Sequence, residues 1–161
     1  MASILDLDAE VCGEYLAQVP ERIAGLLAPT TIVDLGSGTG VGSVALARRF
    51  PDARVIALDA SADMIERTMA RAADAGVADR IHGLVADLDT ALPAGIGPVD
   101  VAWSSSTMHH FADPKALLRS TFDALRAGGV LAVMEITEMP TFLGTETAEG
   151  LLEQRIQPSE T

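Results

Sequence analysis

Five short apolar runs, Thr31–Leu35, Arg54–Leu58, Ile81–Ala86, Val99–Trp103 and Val130–Ile136, alternate with longer segments of helical periodicity. That alternation is the pattern of repeated β-α units, in which helices return the chain so that successive strands run parallel. The expected fold class is α/β, with five strands as the smallest count. A chain of 161 residues can bury one real core and is too short for two ordinary ones. A single domain follows, with N-terminal helices over 1–29, a core over 30–136 and a partial C-terminal region over 137–161.

The segments between the runs carry helix signals. Val41, Val44 and Ala45 share one side after the first run, and Met64, Ile65, Thr68, Met69 and Ala72 form a longer stripe after the second, with Ser61 placed to cap it. After the fourth run, Asp113 suits a cap, Pro114 a first turn, and Leu117, Leu118, Thr121, Phe122 and Leu125 recur at helical spacing up to an exit at Gly128. Upstream, residues 8–27 read as one or two helices, with Pro20 starting the second. Beyond the last run, Ala148, Leu151, Leu152 and Ile156 suggest one more.

Composition excludes several classes. The net charge is −12 and Lys115 is the only lysine, so the chain offers no basic surface for a phosphate backbone and nucleic acid is not an expected partner. Met1–Asp6 has no basic region ahead of an apolar stretch, and Val130–Met134 is far shorter than the roughly 20 residues of a spanning helix. No membrane association and a cytoplasmic location are the expectations. Cys12 stands alone, and one cysteine with three histidines shows no metal-ligand spacing, so no metal is expected. Neither a Gly-x-x-x-x-Gly-Lys-Ser/Thr phosphate loop nor a Gly-x-Ser-x-Gly nucleophile turn is present.

The strongest chemical signal is Val33-Asp34-Leu35-Gly36-Ser37-Gly38-Thr39-Gly40, an apolar strand running directly into a helical pattern. Glycines at alternate positions permit a tight turn and close approach of a ligand to the backbone, and the helix start presents free N–H groups to a carboxylate. Asp59 ends the second run and Asp87 the third. In an open α/β sheet, ligands bind beyond the carboxyl ends of the strands, where an acidic side chain can accept from ribose hydroxyls. Asp34, Asp59 and Asp87 all fall near that edge. A glycine-rich turn can also be a plain connector, and the carboxylates are what raise this one above it.

These residues, together with Ala86-Asp87-Leu88, Asp100, the Met108-His109-His110-Phe111 loop and Leu125-Arg126-Ala127-Gly128-Gly129, resemble the class I S-adenosylmethionine (SAM)-dependent methyltransferases, in their branch that modifies small molecules. The likeness covers roughly residues 31–136. It implies a Rossmann-like doubly wound sheet of order 3-2-1-4-5 with helices on both faces, SAM as cofactor and a small-molecule methyl acceptor. Gly36, Ser37 and Gly38 would line the methionyl part of SAM, with Asp34 orienting its amino group directly or through water. Asp59 would hold the ribose hydroxyls with Ala60 beside the adenine. Asp87 would accept from the adenine amino group, Leu88 would pack on the ring, and Trp103 and Ser104 would border the sulfonium and the acceptor. His109 is the candidate base for an acceptor that must lose a proton; the alternative is that His109 and His110 only pack the loop. Glu135 and Glu138 could also face the acceptor.

Members of that family continue beyond strand five with an antiparallel pair of strands, whereas no two further strand patterns follow Ile136. The sequence is expected to be a fragment or a shortened protein, its fifth strand an apolar edge covered by a second copy or another subunit. Two other functions stay open: a non-catalytic SAM-binding or partner subunit, and an NAD-dependent oxidoreductase. The dinucleotide fingerprint wants a third glycine where Val41 stands, which argues against the last.

Overall fold

The structure, a computed structural model, describes residues 13–89 and 91–135. Its elements are α1 (Gly13–Ala24), β1 (Thr31–Leu35), α2 (Val41–Arg49), β2 (Arg54–Asp59), α3 (Ala62–Asp74), β3 (Ile81–Val85), β4 (Val99–Ser105), α4 (Pro114–Ala124) and β5 (Leu125–Met134). Single 3-10 turns at Ala78–Arg80 and Met108–His110 precede β3 and follow β4. All strands run parallel in the order β3-β2-β1-β4-β5.

The side-chain alternation of the central strands separates two apolar layers. Ile32, Val55, Ala57, Val101 and Trp103 pack with Leu16 and Ile23 of α1, Val44, Leu46 and Ala47 of α2 and Ala72 of α3. Val33, Leu35, Leu58 and Ala102 pack on the opposite side with Leu117 of α4 and Met108. Helices therefore cover both faces, as a doubly wound sheet requires. No helix among the described residues is long and apolar enough to cross a membrane.

Local signals held where polar caps were available. Ser61 accepts the N–H of Met64 at 3.4 Å to start α3, and Asp113 accepts that of Ala116 at 3.0 Å to start α4. Two expectations need correction. Pro20 lies inside one continuous helix rather than starting a second, because buried Leu16 and Ile23 on either side hold α1 against α2. In α2, Val41, Val44 and Ala45 share one side as expected and line a groove toward α3, while Ser43, Leu46 and Ala47 are also buried. Finally, α4 ends at Ala124, where Leu125 turns extended and pairs with Val99. Gly128, at φ 79°, sits within β5 where its register against β4 slips between Val99 and Val101, so its positive φ serves a strand irregularity and not a helix exit. The expected helix at 144–157 and the residue Ile136 lie outside the described residues.

At the amino edge of the sheet, Asp100 fastens β4 to the entry of β1. Its Oδ2 accepts the N–H of Thr30 at 2.6 Å, the Thr30 hydroxyl at 2.8 Å and the N–H of Thr31 at 2.8 Å, and Oδ1 pairs with Arg126. Burial acts to raise this carboxyl's pKa, but the hydrogen bonds outweigh it and hold the group at about 2. A folded pKa below the unfolded one contributes stability that is present at neutral pH and lost as pH falls toward 2. Asp100→Asn is expected to lower the unfolding free energy by roughly 2 kcal/mol at pH 7, with the difference shrinking below pH of about 4 in urea titrations.

Candidate functional site at the carboxyl edge of the sheet

The turn after β1 is fastened to its neighbours by backbone and side-chain bonds. The N–H of Ser37 donates to the Leu58 carbonyl at 2.8 Å, and that of Gly38 donates to Asp59 Oδ2 at 2.9 Å. Asp59 Oδ1 accepts the N–H of Ser61 at 2.9 Å, so one carboxylate joins the end of β2, the glycine turn and the start of α3. From α3, the Thr68 hydroxyl donates to the Gly38 carbonyl at 3.0 Å and Arg71 Nε to that of Thr39 at 2.8 Å.

Two of the turn's glycines are required by crowding. A Cβ on Gly40, at φ 83°, would lie 2.7 Å from the Thr68 Cα. A Cβ on Gly36, at φ 71°, would lie 2.1 Å from the Thr107 methyl. Thr107 belongs to the loop after β4, which leaves the strand through Ser106 at a left-handed φ of 50° and folds over the turn. The Thr107 hydroxyl lies 3.3 Å from the Gly36 carbonyl and donates to that of Ser105 at 2.7 Å.

Asp34 sits beneath this turn, only 2% exposed, next to Gly42 and Trp103. The Ser43 hydroxyl donates to its Oδ2 at 2.6 Å. Burial pushes its carboxyl up to about 7, with the nearby Asp59 charge adding to the rise and the Ser43 hydrogen bonds opposing it. Two buried hydroxyls nearby, Ser37 Oγ in the turn and Ser104 Oγ at the end of β4, find no hydrogen-bond partner among the described residues. Buried polar atoms are ordinarily satisfied, so these are vacant bonding capacity at the strand ends.

The other expected residues fall into place unequally. Ala60 is exposed beside Asp59. Asp87 is exposed and its Oδ1 accepts the N–H of Asp89 at 2.9 Å; Asp89 in turn accepts that of Ala112 at 3.1 Å, drawing the segments after β3 and β4 together. Leu88 is 3% exposed and packs with Val33, Leu35, Leu58 and Met108, so its side chain belongs to the core and not to an open wall. Trp103 is likewise a core side chain at 1% exposure.

On the far side of the turn, Nδ1 of His109 lies 2.8 Å from Glu135 Oε2. Glu135 Oε1 accepts the N–H groups of Thr107 at 2.9 Å and Met108 at 2.7 Å. The His110 ring lies 4.0 Å from that of His109, tilted by 50°. Glu138 lies outside the described residues. Sequence reasoning had no signal for Ser43 as the partner of Asp34, or for Thr107 as the residue that closes on Gly36. A groove of about 620 Å³ between α2 and α3, lined in part by Arg48, Arg67 and Arg71, shares only Thr39 with the turn. The carboxylates and vacant hydroxyls converge elsewhere, at the strand ends, and the site is placed there.

Residues 32–129 match the model of a methyltransferase domain family, and the chain belongs to that family. Over 134 residues it is 37% identical to a trans-aconitate 2-methyltransferase of Methylobacterium radiotolerans, an alignment covering 83% of this chain and 45% of that protein. It is 36% identical over 110 residues to a malonyl-[acyl-carrier protein] O-methyltransferase of Dechloromonas aromatica, covering 68% of this chain and 38% of the relative. Among solved structures, a candidate SAM-dependent methyltransferase of Methanococcus maripaludis superposes with a TM-score of 0.72 at 27% identity, over 82% of this chain and 61% of the other. The chain thus spans less than half the length of these two curated relatives.

The buried Asp34 carries a signed pH effect. A carboxyl whose folded pKa is raised from 3.8 to about 7 makes stability fall as pH climbs between those values. Asp34→Asn, which still accepts from Ser43, is expected to gain on the wild type across that window by at most roughly 4 kcal/mol, read as diverging unfolding free energies between pH of about 4 and 8.

Proposed function

We propose that this chain is the cofactor-binding core of an enzyme that transfers a methyl group from SAM to a small-molecule acceptor. The observation that carries the reading is the convergence on one sheet edge of the glycine turn, the Asp59 carboxylate and the vacant Ser37 hydroxyl. Each suits a different part of SAM. Gly36, Ser37 and Gly38 line the methionyl portion. Asp34 orients the amino group, since a cation placed beside a carboxyl near neutrality lowers its pKa, so that the proton is lost to solvent and the carboxylate pairs with the ammonium. Asp59 spends one lone pair of each oxygen on a backbone amide and retains capacity for the ribose hydroxyls.

The remaining assignments extend that frame. Ala60 lies beside the adenine, Asp87 accepts from its amino group, and Leu88 supports the ring from the core beneath it. Trp103 and Ser104, at the end of β4, border the sulfonium. His109 faces the acceptor. The sulfonium supplies an activated methyl for in-line displacement, so the chain's part is alignment and exclusion of water. The outer edge of β5 has no neighbouring strand among the described residues, and Val133 is exposed on it. A second copy or another chain segment covers that edge in this reading.

Calorimetric titration with S-adenosylhomocysteine tests the assignment. Asp59→Asn keeps an oxygen for one of the two backbone amides, sets an NH₂ donor against the other and loses the charge, and is expected to weaken binding about ten- to a hundredfold with the fold intact by circular dichroism. A folded wild-type chain that fails to bind would remove the reading, and binding of NADH in its place would favour the oxidoreductase.

A further inference from the structure

The groove between α2 and α3 lies on the face of the sheet that these helices cover and shares only Thr39 with the glycine turn. Its volume of about 620 Å³ is that of a small-molecule pocket. Its apolar lining includes the short side chains of Val41 and Ala45 from α2 and Ala70 from α3. Ala70 is exposed and the other two are half-buried, so solvent reaches this apolar surface.

Three guanidinium groups, those of Arg48, Arg67 and Arg71, line the same groove against one carboxylate, Asp74. This local excess of positive charge stands in a chain whose net charge is −12. Helix stability does not call for all three. Arg48 and Arg71 lie in last helical turns, where a cation suits the dipole, but Arg67 sits mid-helix, four residues before Arg71. At that spacing side chains are neighbours on the helix surface and like charges repel. Arg67 meets Asp63 at 3.1 Å, yet the two side chains are 50% and 65% exposed, and so open a pair is readily exchanged for another anion. Arg71 is held in place by its Nε, which donates to the Thr39 carbonyl at 2.8 Å.

We propose that this groove binds a small ligand with an apolar body and an anionic head, a carboxylate or a phosphate. The body lies on Val41, Ala45 and Ala70. The head sits among the arginines, whose planar guanidinium matches the paired oxygens of either group. Net charge selects a small ligand over a large one. An acidic protein surface or an anionic membrane brings many charges against the chain's own carboxylates and is repelled, whereas a single head group responds to charges within a Debye length of about 8 Å. The site is separate from the strand-end cradle and does not depend on what binds there.

Octanoate and octyl phosphate, below their micelle-forming concentrations, are suitable probes, with 1-octanol as the uncharged control. NMR titration of the isotope-labelled full chain reads both affinity and place. Intermolecular NOEs from the methylenes of at least one anion to the methyl groups of Val41, Ala45 and Ala70 are expected, and the tighter of the two identifies the head group. Arg48→Gln combined with Arg67→Gln, both at exposed positions, is expected to weaken that binding about tenfold or more with the amide spectrum otherwise preserved. Ala70→Glu keeps every arginine but sets a competing carboxylate in the groove, and is expected to weaken it likewise. No contact of either anion with the groove, 1-octanol binding as tightly as the anions, or an affinity unchanged in either variant overturns the proposal.

Discussion

The Asp59 carboxylate is the joint on which the site depends. Its two oxygens hold backbone amides from two different segments, Gly38 in the turn after β1 and Ser61 at the start of α3. Without an acceptor there, two N–H groups at the end of a parallel sheet would have to find other partners. The carboxylate sits at the carboxyl end of β2 beside β1, and the crevice of an open sheet opens on the other side of β1, where the strand order reverses toward β4. One side chain therefore sets the turn's shape and keeps lone pairs for a ligand. This double service explains how a short glycine segment holds a defined cradle.

The two ends of the sheet are built in opposite senses. At the amino edge, Asp100 is saturated by Thr30, Thr31 and Arg126, and its charge is stabilised. At the carboxyl edge, Asp34 is buried with a hydroxyl partner and its charge is disfavoured, while the hydroxyls of Ser37 and Ser104 find no partner among the described residues. Thr121, the third such hydroxyl, lies in α4 and has no evident link to the site. Polar groups left short of partners cost stability, and a binding cation or hydrogen-bonding ligand offsets that cost. The buried carboxylate at the amino edge is thus saturated by the groups that join the strands, and the one at the carboxyl edge is not.

Much of this was legible because the signals were local. β1 spans Thr31–Leu35 as its apolar run predicts, and the caps at Ser61 and Asp113 sit where side-chain chemistry places them. What escaped were effects of tertiary pairing. Leu125 has helical spacing but joins the sheet opposite Val99, and Gly128 bends a strand where it had suggested a helix end. Leu88 and Trp103 are large apolar residues at the right edge, and burial claims their side chains before a ligand can. Ser43 looks like an ordinary helix residue until Asp34 is seen beneath it.

The His109 and Glu135 pairing shows why sequence distance hides chemistry. The two are 26 residues apart, separated by all of α4, and meet because β4 and β5 are adjacent parallel strands whose ends lie side by side. Parallel pairing brings the loop after one strand to the end of the next, so a histidine from one and a carboxylate from the other become neighbours by topology. Thr107 then couples that pair to the cradle, since its methyl fills the space above Gly36 and its hydroxyl reaches the glycine's carbonyl. A larger residue at position 36 would push the loop away and carry His109 with it. The glycine therefore sets how closely the loop after β4 approaches the turn as well as the shape of the turn itself, and alignment of this kind is what the proposed in-line displacement would ask of the chain.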